Sequence, residues 1–145
     1  MTTVSDSYAK AFMMGGPVGL SFDLEALPEA YKEFWRSAID EYKANRELYA
    51  KGSARILADS DGIIAIEYFD DDFENCIIQV FSNRCFATDI VLYPVVDEGE
   101  VYICDGERLS GNDIRENGVV FNKLSDRDCK ILHLTKEKSC NEAAH

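Results

Sequence analysis

The densest cluster of carboxylates in the sequence comprises Asp70, Asp71, Asp72 and Glu74. Several oxygens at short spacing are what a hard cation such as Ca²⁺ requires. The cluster lacks the regular D-x-D-x-D-G-x5-E spacing of a calcium loop, however, and it lies between two segments with strand-like patterns. Because acidic turn residues are common between strands, we interpret the cluster as a solvated hairpin turn. The segment 59–62 (DSDG) receives the same interpretation, since Asp-Gly is a typical pair for a two-residue hairpin turn.

A pair of carboxylates could instead carry out acid–base or nucleophilic catalysis, as in glycoside hydrolysis, if about 5 to 10 Å separated them. With 27 acidic residues in the chain, the sequence does not single out such a pair. Asp23 is the most conspicuous isolated acid, because it follows a glycine-rich stretch. Its position just before a predicted helix favours a role in capping or charging the start of that helix.

Nucleophilic catalysis by a cysteine needs a histidine as base, and the histidines of the sequence are His133 and His145. His133 lies within a predicted strand, KILHLT, where no orienting acid is marked out, so we interpret it as a structural strand residue. The segment GGPVG (15–19) has neither the lysine of a P-loop nor the G-x-G-x-x-G spacing, which favours a turn or a barrel-end loop. The sequence therefore predicts no catalytic, cofactor-binding or metal-ligating residue, and no cofactor.

The five cysteines are widely spaced and form no C-x-x-C pair, which argues against a zinc site and against a disulfide scaffold; they are Cys76, Cys85, Cys104, Cys129 and Cys140. Four of them lie in or beside apolar segments, where a reduced cysteine behaves as a small hydrophobe. The N-terminus shows no signal-peptide pattern, and no apolar run approaches the ~18 residues of a membrane span. We expect a cytoplasmic protein that does not span a membrane.

One long helix should precede the rest of the fold. Apolar positions at spacings of three and four predict an amphipathic helix over Pro28–Lys51, about 36 Å long; they are Tyr31, Phe34, Trp35, Ala38, Ile39, Tyr42, Leu48 and Tyr49. Pro28 suits the first turn, Glu29 suits the positive end of the dipole, and Gly52 suits a left-handed C-terminal cap. A small sheet would not cover this whole stripe, so part of it should contact another partner.

From Ser53 onward the pattern changes to short strand-like runs separated by turns. The predicted strands are 54–58, 63–69, 76–82, 86–94, 100–105, 118–122 and 130–135, with loops between them that include GERLSGNDIRENG (106–118). Seven or eight short strands at this spacing are typical of an antiparallel β-sandwich. The predicted fold class is therefore mainly β: an antiparallel sandwich of seven to eight strands preceded by one long amphipathic α-helix.

The composition bounds the class of protein. A chain of 145 residues fits one domain with a single core, and its 46% hydrophobic and 29% charged residues are ordinary globular values. The formal net charge of −12 would repel a phosphate backbone and an anionic membrane surface. We therefore expect no nucleic-acid partner and no membrane partner.

Three segments in order carry a family resemblance: GLSFDL (19–24), LP (27–28) at the helix start, and YKANR (42–46) near the helix end. This order resembles the end of the catalytic (β/α)8 barrel in melibiase-like α-galactosidases and related glycoside hydrolases. The later segments NCIIQVFSN and ERLSGNDIRENGVVF are similar to the β-sandwich domain that follows the barrel in those enzymes. The resemblance runs from about Phe12 to Lys136.

The resemblance implies a last barrel strand and closing helix at 1–52, a C-terminal β-sandwich at 53–138 and a disordered tail at 139–145. In such enzymes the nucleophile and acid/base aspartates lie on earlier barrel strands, so no catalytic residue of the family maps onto this chain. The implied function is a non-catalytic accessory or stabilising domain, a fragment of an α-galactosidase-type hydrolase in carbohydrate metabolism, inactive alone. Its partner would be the missing barrel, or a second copy that associates through the helix, and secondary contacts with carbohydrate are a further expectation.

A second hypothesis is a stand-alone carbohydrate-binding β-sandwich, which would need exposed, coplanar aromatic side chains on one sheet face. The candidates are Tyr68, Phe69, Tyr93 and Tyr102. Alternation along IIAIEYF places Tyr68 and Phe69 on opposite faces of their strand, so at most one of these two can contribute.

Overall fold

A computed structural model of the protein describes residues 24–26, 28–60, 62–83, 89–121 and 128–138. A 3-10 turn (Leu24–Ala26) precedes the long helix α1 (Glu29–Lys51). The remaining elements are β1 (Ser53–Ser60), β2 (Ile63–Phe69), β3 (Asn75–Ser82), β4 (Ile90–Leu92), β5 (Val101–Cys104), β6 (Glu107–Ser110), α2 (Gly111–Asn117), β7 (Val119–Phe121) and β8 (Cys129–Lys136). The predictions for the strand at 12–19, for Asp23, Asp61, Cys85, Cys140 and His145, and for the tail at 139–145 lie outside the described residues.

Helix α1 begins where the sequence predicts. Pro28 precedes its first residue, and the Pro28 carbonyl accepts hydrogen bonds from the N–H groups of Tyr31 (3.0 Å) and Lys32 (3.2 Å). Glu29 lies in the first turn and Lys51 in the last, which matches the helix dipole.

The predicted left-handed cap at Gly52 is wrong, because this residue is extended, with φ −71° and ψ 172°. A side chain has no room there: a Cβ at Gly52 would lie 2.5 Å from the Leu48 carbonyl oxygen and 2.8 Å from that of Phe69. The φ angle of Gly52 is one that any residue can adopt. Glycine is required here because the end of the helix approaches β2 too closely to leave room for a side chain.

Six strands form the larger sheet in the order β1-β2-β3-β8-β5-β6, and every strand pairing in the described part of the chain is antiparallel. Ser60 pairs with Ile63, and Gly62, just before β2, adopts φ 80°, a left-handed conformation that favours glycine. The last strand, β8, lies between β3 and β5.

The smaller sheet consists of β4 and β7, and it packs against the larger one. The core between the two sheets takes its residues from both; it contains Ile63, Ala65, Ile78, Val80, Leu92, Tyr102, Ile114, Val119, Phe121, Leu132 and Leu134, among others. The mainly β, antiparallel fold class with eight strands and a preceding helix is therefore confirmed.

The region 106–118 differs from its prediction as a loop. It contains β6 and the helix α2, whose first N–H groups are capped by Ser110: the Ser110 hydroxyl accepts a hydrogen bond from the Asp113 N–H at 3.0 Å. Gly118 ends this helix at φ 72°, and Ile114 buries its side chain in the core. The predicted strand at 86–94 is shorter, because only Ile90–Leu92 pairs, with β7.

Neither α1 nor α2 has both the length and the apolar character that a transmembrane helix requires, and this holds for the described residues.

Candidate functional site

The acidic cluster between β2 and β3 is a hairpin turn built around Asp70. The Asp70 Oδ1 accepts hydrogen bonds from the N–H groups of Glu74 (2.8 Å) and Asn75 (3.2 Å), and its Oδ2 accepts one from the Asn75 Nδ2 (3.0 Å). Phe73 adopts φ 53° within the turn. The interpretation of this cluster as a turn is thus confirmed. Within the described ranges, no group of three or more His, Cys, Asp or Glu side chains is arranged to hold a metal ion.

His133 lies in β8, on the sheet face that α1 covers. Its Nε2 is 3.5 Å from the Glu41 Oε1, and both side chains are partly exposed, at 41% and 25%. This acid on α1 is one that the sequence did not mark out, because the two residues are brought together only by the packing of the helix on the sheet.

The cysteines that the structure describes are buried and reduced. Burial raises the pKa of the Cys104 thiol to about 11 and that of the Cys129 thiol to about 12, and it also raises the pKa of Cys76. A thiol that stays protonated at neutral pH is a poor nucleophile. These residues therefore act as small core side chains.

Glu67 is a buried carboxyl that the sequence reasoning missed. It is 0% exposed; its Oε1 accepts a hydrogen bond from the Val95 N–H at 2.7 Å, and its Oε2 accepts one from the Arg55 Nη2 at 3.2 Å. The Arg55 Nη2 also donates to the Tyr93 carbonyl at 2.8 Å. Burial raises the pKa of Glu67, although the Val95 N–H and the Arg55 guanidinium act in the opposite direction. The pair fastens the segment 93–95 to the sheet.

The four aromatic candidates do not form one exposed platform. Tyr102 is 0% exposed, and its hydroxyl donates to the Phe73 carbonyl at 3.0 Å while it accepts from the Asp97 N–H at 2.9 Å. Tyr68 packs edge-on against Tyr49 of α1 with ring centroids 4.9 Å apart, whereas Phe69 packs against the core, so they do lie on opposite faces. Of the four, Tyr93 is 53% exposed.

Helix α1 covers the outer face of the larger sheet at β3 and β8. Ala38 is 1% exposed at the centre of this contact, and half-buried apolar side chains surround it: Trp35, Ile39, Tyr42, Tyr49 and Ile131. The buried Gln79 of β3 donates a hydrogen bond from its Nε2 to the Tyr49 hydroxyl at 3.3 Å. This polar contact fixes the C-terminal half of the helix over the middle of the sheet.

The same outer face is left uncovered at β1 and at the N-terminal half of β2, whereas Tyr68 near the end of β2 contacts Tyr49 of α1. Ile56 is 66% exposed and Ile64 is 47% exposed, and Ile66, which pairs with Ile56, is partly exposed between them. These three residues, which we call the uncovered face, share the side of the sheet that carries Tyr68 and α1, because side chains alternate along a strand. Tyr31, in the first turn of α1, is also 50% exposed. Contiguous exposed apolar side chains are common where one domain contacts another, and the paired residues Val91 (43%) and Val120 (52%) of the smaller sheet are exposed as well.

No family model matches the chain, and no curated protein matches it. Solved structures do. The GH36 α-galactosidase AgaB from Geobacillus stearothermophilus matches with a TM-score of 0.82 and 19% identity, over 94% of this chain and 20% of its own. An α-galactosidase from Lactobacillus brevis matches with a TM-score of 0.76 and 14% identity, over 90% of this chain and 20% of its own. An α-amylase from Geobacillus thermoleovorans matches with a TM-score of 0.56 and 12% identity, over 92% of this chain and 33% of its own.

The likeness is one of fold. The chain spans about a fifth of the length of the α-galactosidases that it matches, at 14% and 19% identity. The resemblance to α-galactosidases that the sequence predicts is therefore confirmed for the architecture.

Proposed function

We propose that this chain is a non-catalytic accessory domain of a glycoside hydrolase of α-galactosidase type, which packs against the catalytic (β/α)8 barrel and stabilises it. The observation that carries the proposal is that the fold of nearly the whole chain corresponds to a fifth of an α-galactosidase. A domain that makes up one-fifth of a larger structure leaves apolar surface exposed when its neighbour is absent.

The uncovered face supports this proposal. Ile56 and Ile64 belong to β1 and β2, at one edge of the larger sheet, and no second helix lies over them among the described residues. A catalytic barrel seated there would bury these side chains, at about 25 cal/mol per Å² of apolar area. Association of two copies through α1 is the competing arrangement, and it would bury Tyr31, which is 50% exposed in the first turn of the helix.

The chemistry of the described side chains also favours a non-catalytic role. Barrel glycosidases assemble their reacting groups from the ends of several strands of the barrel. Here the buried carboxyl Glu67 is held by Arg55 and Val95, and the described cysteine thiols are protonated in the core. The reduced cysteines agree with a cytoplasmic location, which we include in the proposal.

A direct test measures the hydrolysis of an aryl α-galactoside by the purified chain. We expect no turnover above the buffer rate, because barrel glycosidases take their nucleophile and acid from strands of the barrel, which an accessory sandwich domain does not provide. Measurable turnover that is lost on mutation of one carboxylate would overturn the non-catalytic assignment.

The docking role is tested separately by the double variant Ile56→Thr/Ile64→Thr, which keeps β-branched residues in both strands. We expect it to bind less of an apolar fluorescent dye than the unmodified chain, with an unfolding free energy changed by no more than about 0.5 kcal/mol. Val91→Thr/Val120→Thr is the matched control, since these paired residues of β4 and β7 are 43% and 52% exposed on the smaller sheet. Dye binding that falls equally in the control would contradict a docking role for the uncovered face.

A further inference from the structure

A cavity of about 460 Å³ opens where the C-terminal half of α1, the β2–β3 turn and β8 meet. This volume lies within the range of small-molecule sites, which is about 300 to 1,000 Å³. Side chains from all three elements line it, and those used below are Asn45, Leu48, Asp71, Asn75, Ile77 and His133. It is separate from the uncovered face, which lies on β1 and β2.

Two amides in this cavity are held in place by bonds of their own. The Asn45 Nδ2 donates to the Glu41 carbonyl at 2.9 Å, and the Asn75 Nδ2 donates to the Asp70 carboxylate at 3.0 Å. Each amide keeps its Oδ1 as a hydrogen-bond acceptor. Because both side chains are already fixed, a ligand that donates to them does not have to order them first.

The histidine is fixed in a similar way. His133 Nε2 lies 3.5 Å from the Glu41 Oε1, and the side chain, which is 41% exposed, lines the cavity. The accessible floor below these polar groups is apolar, because it is formed by the half-buried Leu48, under which Ile77 is buried. A ligand must therefore present hydrogen-bonding groups at its edge and C–H groups on one side.

The charge of the cavity selects among such ligands. Its lining has three carboxylates, Glu47, Asp70 and Asp71, against one ammonium, Lys51, which gives a net charge of −2. Glu47 and Lys51 lie 3.6 Å apart and are both exposed, so they largely compensate each other. Asp70 is occupied by the turn, whereas the exposed carboxylate of Asp71 can accept two hydroxyl donors. Anionic ligands are repelled from this site.

We propose that this cavity binds a neutral, hydroxyl-rich molecule of monosaccharide size, whose hydroxyl groups donate to Asn45, Asn75 and Asp71 while its C–H face lies on Leu48. The proposal is independent of the accessory role, since it concerns another surface and needs no barrel. An open cavity with a few such hydrogen bonds gives weak binding, with a Kd of about 1 to 10 mM.

The test is a titration of the ¹⁵N-labelled chain, followed by amide chemical shifts. The neutral probes are D-galactose, D-glucose and D-mannose; the charged probes are D-glucuronate and D-glucosamine. We expect saturable shifts with at least one neutral sugar, confined to residues 44–52, 70–77 and 133–135, and binding of D-glucuronate at least about tenfold weaker. The proposal would be overturned if none of the three neutral sugars gave saturable shifts, whether or not D-glucosamine did.

A pair of variants on α1 shows whether the cavity is the site. Ala44 lines the cavity, whereas Ala50 is equally exposed on the same helix and does not line it. Ala44→Trp should fill the cavity and raise the Kd at least about tenfold, and Ala50→Trp should leave it unchanged. Equal effects of the two variants would contradict the assignment.

A second variant keeps the test decisive if Ala44→Trp fails to fold. Asp71→Ala removes one acceptor from an exposed turn position and leaves the bonds of Asp70 in place. It should raise the Kd at least about tenfold, the effect of one lost hydrogen bond to a charged group. An unchanged Kd would show that Asp71 does not contact the ligand and would contradict the proposed mode of binding.

Discussion

Two buried polar side chains anchor the segment that leads from β4 to β5. The Glu67 Oε1 accepts the Val95 N–H, and the Tyr102 hydroxyl accepts the Asp97 N–H. Both anchoring residues point from the larger sheet into the core, where an unpaired polar group would destabilise the fold. These two contacts therefore hold a connection without secondary structure against the sheet.

Tyr102→Phe should destabilise the protein measurably. Loss of the hydroxyl leaves the Asp97 N–H and the Phe73 carbonyl without their partner, which costs about 1 to 3 kcal/mol. Urea unfolding should show a lower midpoint with an unchanged m value. The matched control is Tyr93→Phe, because Tyr93 is 53% exposed and its change should stay within about 0.5 kcal/mol. Equal midpoints for the two variants would contradict this role of Tyr102.

Glu67 makes stability depend on pH. Burial raises its pKa above the ordinary value of 4.5, so the folded state binds this proton more tightly than the unfolded state does. Its contribution to stability is therefore fully present below pH 4.5 and is lost as the pH rises through the folded-state pKa. Glu67→Gln, which does not titrate, is the reference.

The unfolding free energy of the unmodified chain minus that of Glu67→Gln should therefore fall as the pH increases from about 4 to 8. Urea unfolding at a series of pH values measures this difference. A difference that stays constant or grows with pH would show that the Arg55 ion pair, and not burial, controls the carboxyl group.

The burial of Glu67 is predictable in part from the sequence. Alternation in IIAIEYF puts it on the same face as Ile63, Ala65 and Phe69, which is the face that a sandwich buries. Its partner Val95 lies 28 residues away, and no local pattern indicates this contact. A buried acid can thus be suspected from strand alternation, whereas the groups that satisfy it depend on the tertiary fold.

At the scale of the elements, the junction between α1 and β1 depends on Gly52. Gly52→Ala should destabilise the protein by about 1 to 3 kcal/mol, because its Cβ would overlap the Leu48 and Phe69 carbonyl oxygens. Gly99→Ala is the control, since a Cβ there meets nothing within 4 Å. Thermal unfolding should separate the two variants by several degrees. Similar melting temperatures would mean that the backbone shifts to admit the methyl group.

Strong periodicity decided which elements were predictable. The stripe of α1 and the apolar runs of β2, β3 and β8 lie within one or two residues of their predicted bounds. Helix α2 has seven residues, and Ile114 is its one buried residue apart from Gly111. Such a short segment shows no repeated apolar spacing from which a helix could be predicted. Its start is set by tertiary contact as well, because a Cβ at Gly111 would lie 1.8 Å from the Asp97 carbonyl oxygen.

At the scale of the whole molecule, three layers share one central sheet. The smaller sheet covers one face of β3 and α1 covers the other, so five consecutive residues from Cys76 to Val80 are buried. A continuous apolar run such as CIIQV is typical of a strand covered on both faces. In contrast, β1 at the edge of the sheet is exposed over much of its length, which is why the uncovered face lies there.

The candidate site was not predictable at this scale. The cavity takes Asn45 from α1, Asp71 and Asn75 from the β2–β3 turn and His133 from β8. The three elements are separated by tens of residues along the chain, and although Asn45 belongs to YKANR and Asn75 to NCIIQVFSN, neither segment indicates that the two residues meet. Their meeting depends on the angle at which α1 crosses the sheet, which residue periodicity does not determine.

The central place of β8 has a consequence for the order of folding. The meander β1–β2–β3 and the hairpin β5–β6 can each form from neighbouring segments, but β8 is the strand that joins them into one sheet. It pairs with β3 about fifty residues earlier, so the loop-closure entropy of that step is large. During synthesis, the sheet would remain as two separate halves with open edges until the ribosome has released Cys129–Lys136.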